Sequence, residues 1–120
     1  MHNRTGAKGA ITVRFGFEDS TFCFLNCHLA GGNQPRNVDE RHQQLNYIMN
    51  EAYKGDRGTQ YQSYQVQNHN VKVFFGDLNF RINKSRKEVR TLVANRHYAT
   101  LMKADELYVH GMRNNVLKTC

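Results

Sequence analysis

The chain has 120 residues, 39% of them hydrophobic, and a formal net charge of +7, with a mean hydropathy of −0.73. That length allows one small domain or a piece of a larger one, and no apolar run is long enough to span a bilayer. The basic balance, with a pI near 9.6, favours anionic partners: nucleic acid, phosphoinositide head groups or an anionic membrane.

In chain order, Met1 to Gly9 reads as loop, with Gly6-Ala7-Lys8-Gly9 as a basic turn. Ala10 to Phe17 alternates, with Ile11, Val13, Phe15 and Phe17 on one side, and predicts a half-buried strand. Glu18-Asp19-Ser20 make a turn, and Thr21 to Leu29 form the antiparallel partner. This second strand is apolar on both faces early on and so reads as central in a sheet. It ends in Asn26 and His28 before Gly31-Gly32, a setting where functional groups gather. Asn37 followed by Glu40 resembles a capping box and predicts a helix from Val38 to Tyr53, stopped by Gly55. Its apolar stripe is Val38, Leu45, Ile48, Met49 and Ala52.

Lys54 to Asn70 is polar and predicts a surface loop with at most one helical turn, Tyr61 and Tyr64 serving as anchors. Val71 to Phe75 reads as a buried strand running into Gly76-Asp77. Ser85-Arg86-Lys87-Glu88 is a capping box that opens a helix to about Ala94, and a further helix is expected from His97 to Leu107. The tail beyond Gly111 carries no strong pattern. Cys23, Cys27 and Cys120 are odd in number, which fits a reducing compartment better than a disulfide framework. Cys23, Cys27 and His28 fall short of the four ligands of a structural zinc site and read as two small buried hydrophobes beside a histidine. A cytoplasmic protein, at most peripheral to membranes, is expected.

The run Phe74-Phe75-Gly76-Asp77-Leu78-Asn79-Phe80-Arg81-Ile82 carries the most chemistry. A short apolar strand ends in glycine and then offers an acid, an amide and a guanidinium. Asp77 can hold or activate a nucleophilic water, Asn79 can orient it, and Arg81 can grip phosphate oxygens bidentately. From Arg81 to Lys103 there are seven Lys or Arg and one acid, Glu88, before Asp105. Such a stretch suits a multiply phosphorylated head group or an anionic bilayer; a solvated helix face is the plainer alternative.

Several segments together resemble the inositol polyphosphate 5-phosphatases. Gly6-Ala7-Lys8-Gly9-Ala10 followed by Val13-Arg14-Phe15 resembles their GNKGAVAVRF segment. Phe22-Cys23-Phe24-Leu25-Asn26-Cys27-His28-Leu29-Ala30 is similar to F-C-x-V-N-S-H-L-A, and Phe75-Gly76-Asp77-Leu78-Asn79-Phe80-Arg81-Ile82 to W-x-G-D-L-N-Y-R-I. Leu101 with Asp105-Glu106-Leu107 resembles the L-x-x-x-D-Q-L ending. The order holds from Gly6 to Leu107.

The resemblance implies an α/β (α+β) fold, part of the four-layer α-β-β-α sandwich of the endonuclease/exonuclease/phosphatase superfamily. It makes residues 1–120 a single partial domain, the central segment of the catalytic domain. It implies Mg2+-dependent hydrolysis of the 5-phosphate of inositol phosphates or phosphoinositides, with Asp77 as the catalytic aspartate, Asn79 beside it and His28 bonded to the scissile phosphate. Lys8, Arg81 and Lys84 are the implied substrate-binding cations. A carboxylate beside a phosphate dianion is repulsive without a cation nearby, so Asp77 argues for a metal held by hard oxygen ligands. The family's metal-holding asparagine and glutamate lie upstream of the Gly-Lys-Gly turn and have no counterpart here. The later P-x-W-C-D-R-I-L and S-D-H segments are also absent, and the E-R-R-N-x-D-Y helix is changed to Glu40-Arg41-His42-Gln43-Gln44-Leu45. A catalytically inactive remnant serving as a structural or binding subunit, its sheets completed by a protein partner, is the alternative expectation. A nuclease of the same fold is a further one, although the inositide resemblance argues against a nucleic-acid partner.

Overall fold

The computed structural model describes residues 7–53 and 64–113. Strand β1 (Gly9–Phe17) turns at Glu18 into β2 (Ser20–His28), and helix α1 (Pro35–Glu51) then crosses over to β3 (Val71–Asp77). Helices α2 (Arg86–Ala94), α3 (Tyr98–Met102) and α4 (Glu106–Arg113) follow. The three strands form one sheet in the order β1-β2-β3, so β2 is central as its two apolar faces predict. β1 pairs with β2 antiparallel. β3 pairs with β2 parallel, the arrangement that requires a crossover such as α1.

The register sorts the side chains. Cys23, Leu25 and Cys27 of β2 point to the α1 face, where they are at most 1% exposed and pack with Leu29, Leu45, Met49 and Val66. Burial pushes the Cys27 thiol up to about 11, and both cysteines are free, so they act as the small hydrophobes expected. The opposite face aligns Val13 with Phe24 and Phe15 with Phe22, and Phe24 with Val73. Phe15 stacks on Phe22 at 5.1 Å and on Phe24 at 5.8 Å.

Three expectations about the strands and the C-terminal helix need correction. The apolar side of β1 is not half-buried: Ile11 is 71% and Phe17 63% exposed, because no described element covers that face. β3 is likewise not buried; it is an edge strand, exposed along most of its length. The helix predicted from His97 to Leu107 is two helices, α3 and α4, separated where Asp105 bridges to Ile82.

Helix α1 begins three residues earlier than predicted, with Pro35 in its first turn, where a missing N–H costs nothing. Asn37 is not the cap; its Oδ1 accepts from the Gln34 N–H at 3.1 Å. The capping box at Ser85 is as predicted: Glu88 N–H donates to Ser85 Oγ at 3.2 Å and Ser85 N–H to Glu88 Oε2 at 2.9 Å. Within the predicted loop, Val66–Asn68 makes one 3-10 turn. Tyr64 lies under the Arg14 guanidinium at 3.4 Å. Gly55, Tyr61 and Cys120 lie outside the described residues.

Candidate phosphate-binding site

β2 and β3 are parallel neighbours, so their carboxyl ends emerge side by side, the usual place for ligands in such sheets. His28 and Asp77 are register partners. The Leu29 N–H donates to the Asp77 carbonyl at 3.0 Å, which keeps the strands joined beyond them. His28 Nε2 lies 3.6 Å from Asp77 Oδ2, with the two side chains 52% and 66% exposed. Both open to solvent on the uncovered face of the sheet.

Lys8 arrives from the neighbouring strand, because Gly9 pairs with His28. Its ammonium Nζ donates to His28 Nε2 at 2.6 Å. Lysine only donates, so Nε2 accepts and the proton of the neutral ring is on Nδ1. An arriving phosphate oxygen can take over the ammonium and leave Nε2 free to carry a proton toward it.

Gly76, just before Asp77, has φ +119. A Cβ there would overlap the Cys27 carbonyl, so glycine is needed for β3 to stay against β2 as it delivers Asp77. Asn79 adopts the left-handed region, φ 55, which asparagine tolerates better than most side chains. That turn lets Asn79 Nδ2 donate to the Leu29 carbonyl at 3.0 Å and its Oδ1 accept from Arg81 Nη2 at 3.2 Å. Arg81 Nε also donates to Asn33 Oδ1 at 3.1 Å.

Thus Lys8, His28 and Asp77 form one cluster. Asn79 and Arg81 form a second, tied to the loop that follows His28. Lys84 is 3.7 Å from Glu88 in an i,i+4 ion pair. A cavity of about 330 Å³ lined by Ile82, Tyr98, Leu101, Met102, Asp105 and Tyr108 adjoins the end of this loop but includes none of the clustered residues.

Residues that sequence reasoning passed over hold the site from beneath. Arg41 of α1 is fully buried; its Nη1 donates to the Ala30 and Gly32 carbonyls at 3.1 and 3.0 Å. Its Nη2 donates to Glu106 Oε2 at 2.7 Å, an oxygen that also accepts the Arg81 N–H at 3.0 Å. The signal was present in the sequence: Arg41 stands three residues after Val38 and four before Leu45, on the apolar stripe itself. Next to it, His42 stacks on His110 with centroids 3.4 Å apart and an interplanar angle of 7°. Desolvation holds both imidazoles below the usual histidine range, His110 adding to the effect on His42.

A divalent cation needs several oxygens; magnesium takes near-octahedral coordination. Asp77 supplies one carboxylate, and the Asn79 amide oxygen is engaged by Arg81. Among the described residues no group of three His, Cys, Asp or Glu side chains converges. The described side chains therefore do not hold magnesium by themselves.

The sequence profile of the Endonuclease/Exonuclease/phosphatase family 2 matches residues 1–120. A probable inositol polyphosphate 5-phosphatase of Schizosaccharomyces pombe is 35% identical over 119 residues, 91% of this chain and 10% of that protein. Type IV inositol polyphosphate 5-phosphatase 9 of Arabidopsis thaliana is 31% identical over 114 residues, 94% of this chain and 27% of that one. Among solved structures, the inositol polyphosphate 5-phosphatase domain of SPsynaptojanin, crystallised with inositol (1,4)-bisphosphate and calcium ion, superposes with a TM-score of 0.70. It is 32% identical, over 95% of this chain and 31% of that one. The chain thus spans between about a tenth and a third of these proteins.

Proposed function

The chain belongs to the endonuclease/exonuclease/phosphatase family 2, and on that premise we propose that it is the central part of an inositol polyphosphate 5-phosphatase catalytic domain. Its sheet and helices are part of that superfamily's α/β fold. The observation that carries the functional reading is the register pair His28–Asp77, with Lys8 bonded to the same imidazole.

In this reading Lys8 and Arg81 take the oxygens of the 5-phosphate and offset its charge, which allows the Asp77 carboxylate to approach. Asp77 accepts the proton of a water attacking in line. Asn79 sets that water's direction, and His28, having taken up a proton from solvent at Nε2, donates to a phosphate oxygen. The phosphorus bond to the inositol 5-oxygen breaks as the water's oxygen bonds, and the departing oxygen takes a proton from solvent. Phosphoryl transfer needs mainly such placement and charge neutralisation. Magnesium is the metal proposed for the complete domain. Among the described residues Asp77 is the carboxylate offered to it at this site, and further oxygen ligands are needed to complete its coordination. The proposed ligands are inositol phosphates or phosphoinositide head groups, and the proposed setting is cytoplasmic, at or near an anionic membrane. Among the described residues no helix is long and apolar enough to cross one.

The test is phosphate release from inositol 1,4,5-trisphosphate, with magnesium and with EDTA, comparing the complete catalytic domain proposed here with its Asp77→Ala form. Magnesium-dependent release lost in Asp77→Ala supports the assignment; equal release from both forms overturns it. A second reading, a binding or structural subunit completed by a partner, is favoured by the uncovered apolar face of the sheet. It predicts inositol phosphate binding without release.

A further inference from the structure

We propose that the buried Arg41–Glu106 pair is the positioning device of this site, setting Asn79 and Arg81 by clamping the loop that carries them to the loop after β2 that they bond. The inference deepens the proposed phosphate-binding reading and rests on it for its ligand. Arg41 is 0% and the Glu106 side chain 14% exposed. Burying such a pair costs desolvation, and a well-packed apolar pair of similar volume would often stabilise as well or better. Stability alone is therefore a poor explanation for it, and the groups it touches supply a better one.

Arg41 grips the loop after β2 through two carbonyls, those of Ala30 and Gly32. Glu106 grips the loop after β3 at both ends of a single residue. Its carboxylate accepts the Arg81 N–H, and its own N–H donates to the Arg81 carbonyl at 2.9 Å. The ion pair at 2.7 Å joins the two grips. Above it, Asn79 reaches the Leu29 carbonyl and Arg81 reaches Asn33 and Asn79. The bonds to Leu29 and Asn33 cross the same gap that the ion pair closes. The Arg81 guanidinium is thereby aimed before any phosphate arrives, and preorganised donors gain their advantage from being fixed beforehand.

The experiment compares the full chain with Glu106→Ala and Glu106→Gln, by amide hydrogen exchange and by NMR titration with inositol 1,4-bisphosphate and magnesium. In Glu106→Ala the Arg81 amide is expected to exchange on the order of a hundredfold faster, with Leu25 in the central strand changing roughly tenfold less. Affinity for the bisphosphate falls roughly tenfold or more. Glu106→Gln keeps an oxygen acceptor at the same place and restores both readouts to within about threefold of the parent. Equal acceleration at Arg81 and Leu25 overturns the proposal, since that is a structural role only. So does an unchanged Arg81 amide, or unchanged affinity once Arg81 has loosened. If the parent does not bind the bisphosphate, the functional reading fails, and the local exchange at Arg81 still decides the clamp. Should Glu106→Ala not fold, Glu106→Asp, which retracts the carboxylate by one methylene, replaces it with the same criteria.

Discussion

Replacing Gly76 with alanine tests the junction on which the site depends. The residue has φ +119, a conformation that costs an L side chain about 1–3 kcal/mol. The added methyl would overlap the Cys27 carbonyl and sit 2.7 Å from Asn26 Oδ1 and 2.8 Å from Cys27 N. Two of those three neighbours are backbone of the adjoining strand and cannot swing aside. Relief requires β3 to move away from β2 at the Cys27–Gly76 pair, an overpacking strain of about 1–3 kcal/mol. The two costs sum to about 2–6 kcal/mol, a large share of the roughly 5–15 kcal/mol that holds a typical domain. Urea unfolding followed by circular dichroism should show a lower midpoint at unchanged slope. In the folded fraction, cross-strand contacts between His28 and Asp77 should weaken first. A loss under about 0.5 kcal/mol with that contact intact would refute the reasoning.

Two further outcomes follow from the helices. Ser85→Ala removes the cap of α2, a helix with no buried residue; losing it costs about 1 kcal/mol, read as roughly fivefold faster amide exchange within α2 and little change in the sheet. The stacked His42–His110 pair, faced by Glu106 and His110 from α4 and by Asp39 and Arg41 from α1, makes stability pH-dependent. Both histidines titrate below their usual 6.5 when folded, so below that value the unfolded chain binds more protons and stability falls as pH drops through 6.5 toward the folded values. His42→Gln should flatten thermal midpoints between pH 7.5 and 5.5, and an unchanged slope would discount the pair.

Much of the fold is legible where one local rule dominates. The alternation of Ala10 to Phe17, the two-faced apolar start of β2 and the Ser85-Glu88 box each report a preference satisfied within a few residues. The misses share a different cause. β1 and β3 carry sequences suited to burial, yet whether a sheet face is covered depends on elements distant in the chain. The single helix expected from His97 to Leu107 fails because the Asp105–Ile82 bridge interrupts it, a tertiary contact that no periodicity announces. At the site, Lys8, His28 and Asp77 come within reach of one another, and Arg41 escapes notice in the sequence because a charge on an apolar stripe reads as an interruption. Its partner Glu106 stands 65 residues away, too far for any spacing rule.

The apolar pattern and the site are one constraint. Side chains alternate along a strand, so His28 shares a face with Phe22, Phe24 and Asn26, and Asp77 with Val71, Val73 and Phe75. A slip of β3 by one residue would turn Asp77 toward the α1 face and expose Phe74 in place of Val73. The packing of Leu25 opposite Phe74, under α1, therefore holds the register that sets Asp77 beside His28. The same parity puts the Asp77 carboxylate at the margin of the apolar face that no described element covers.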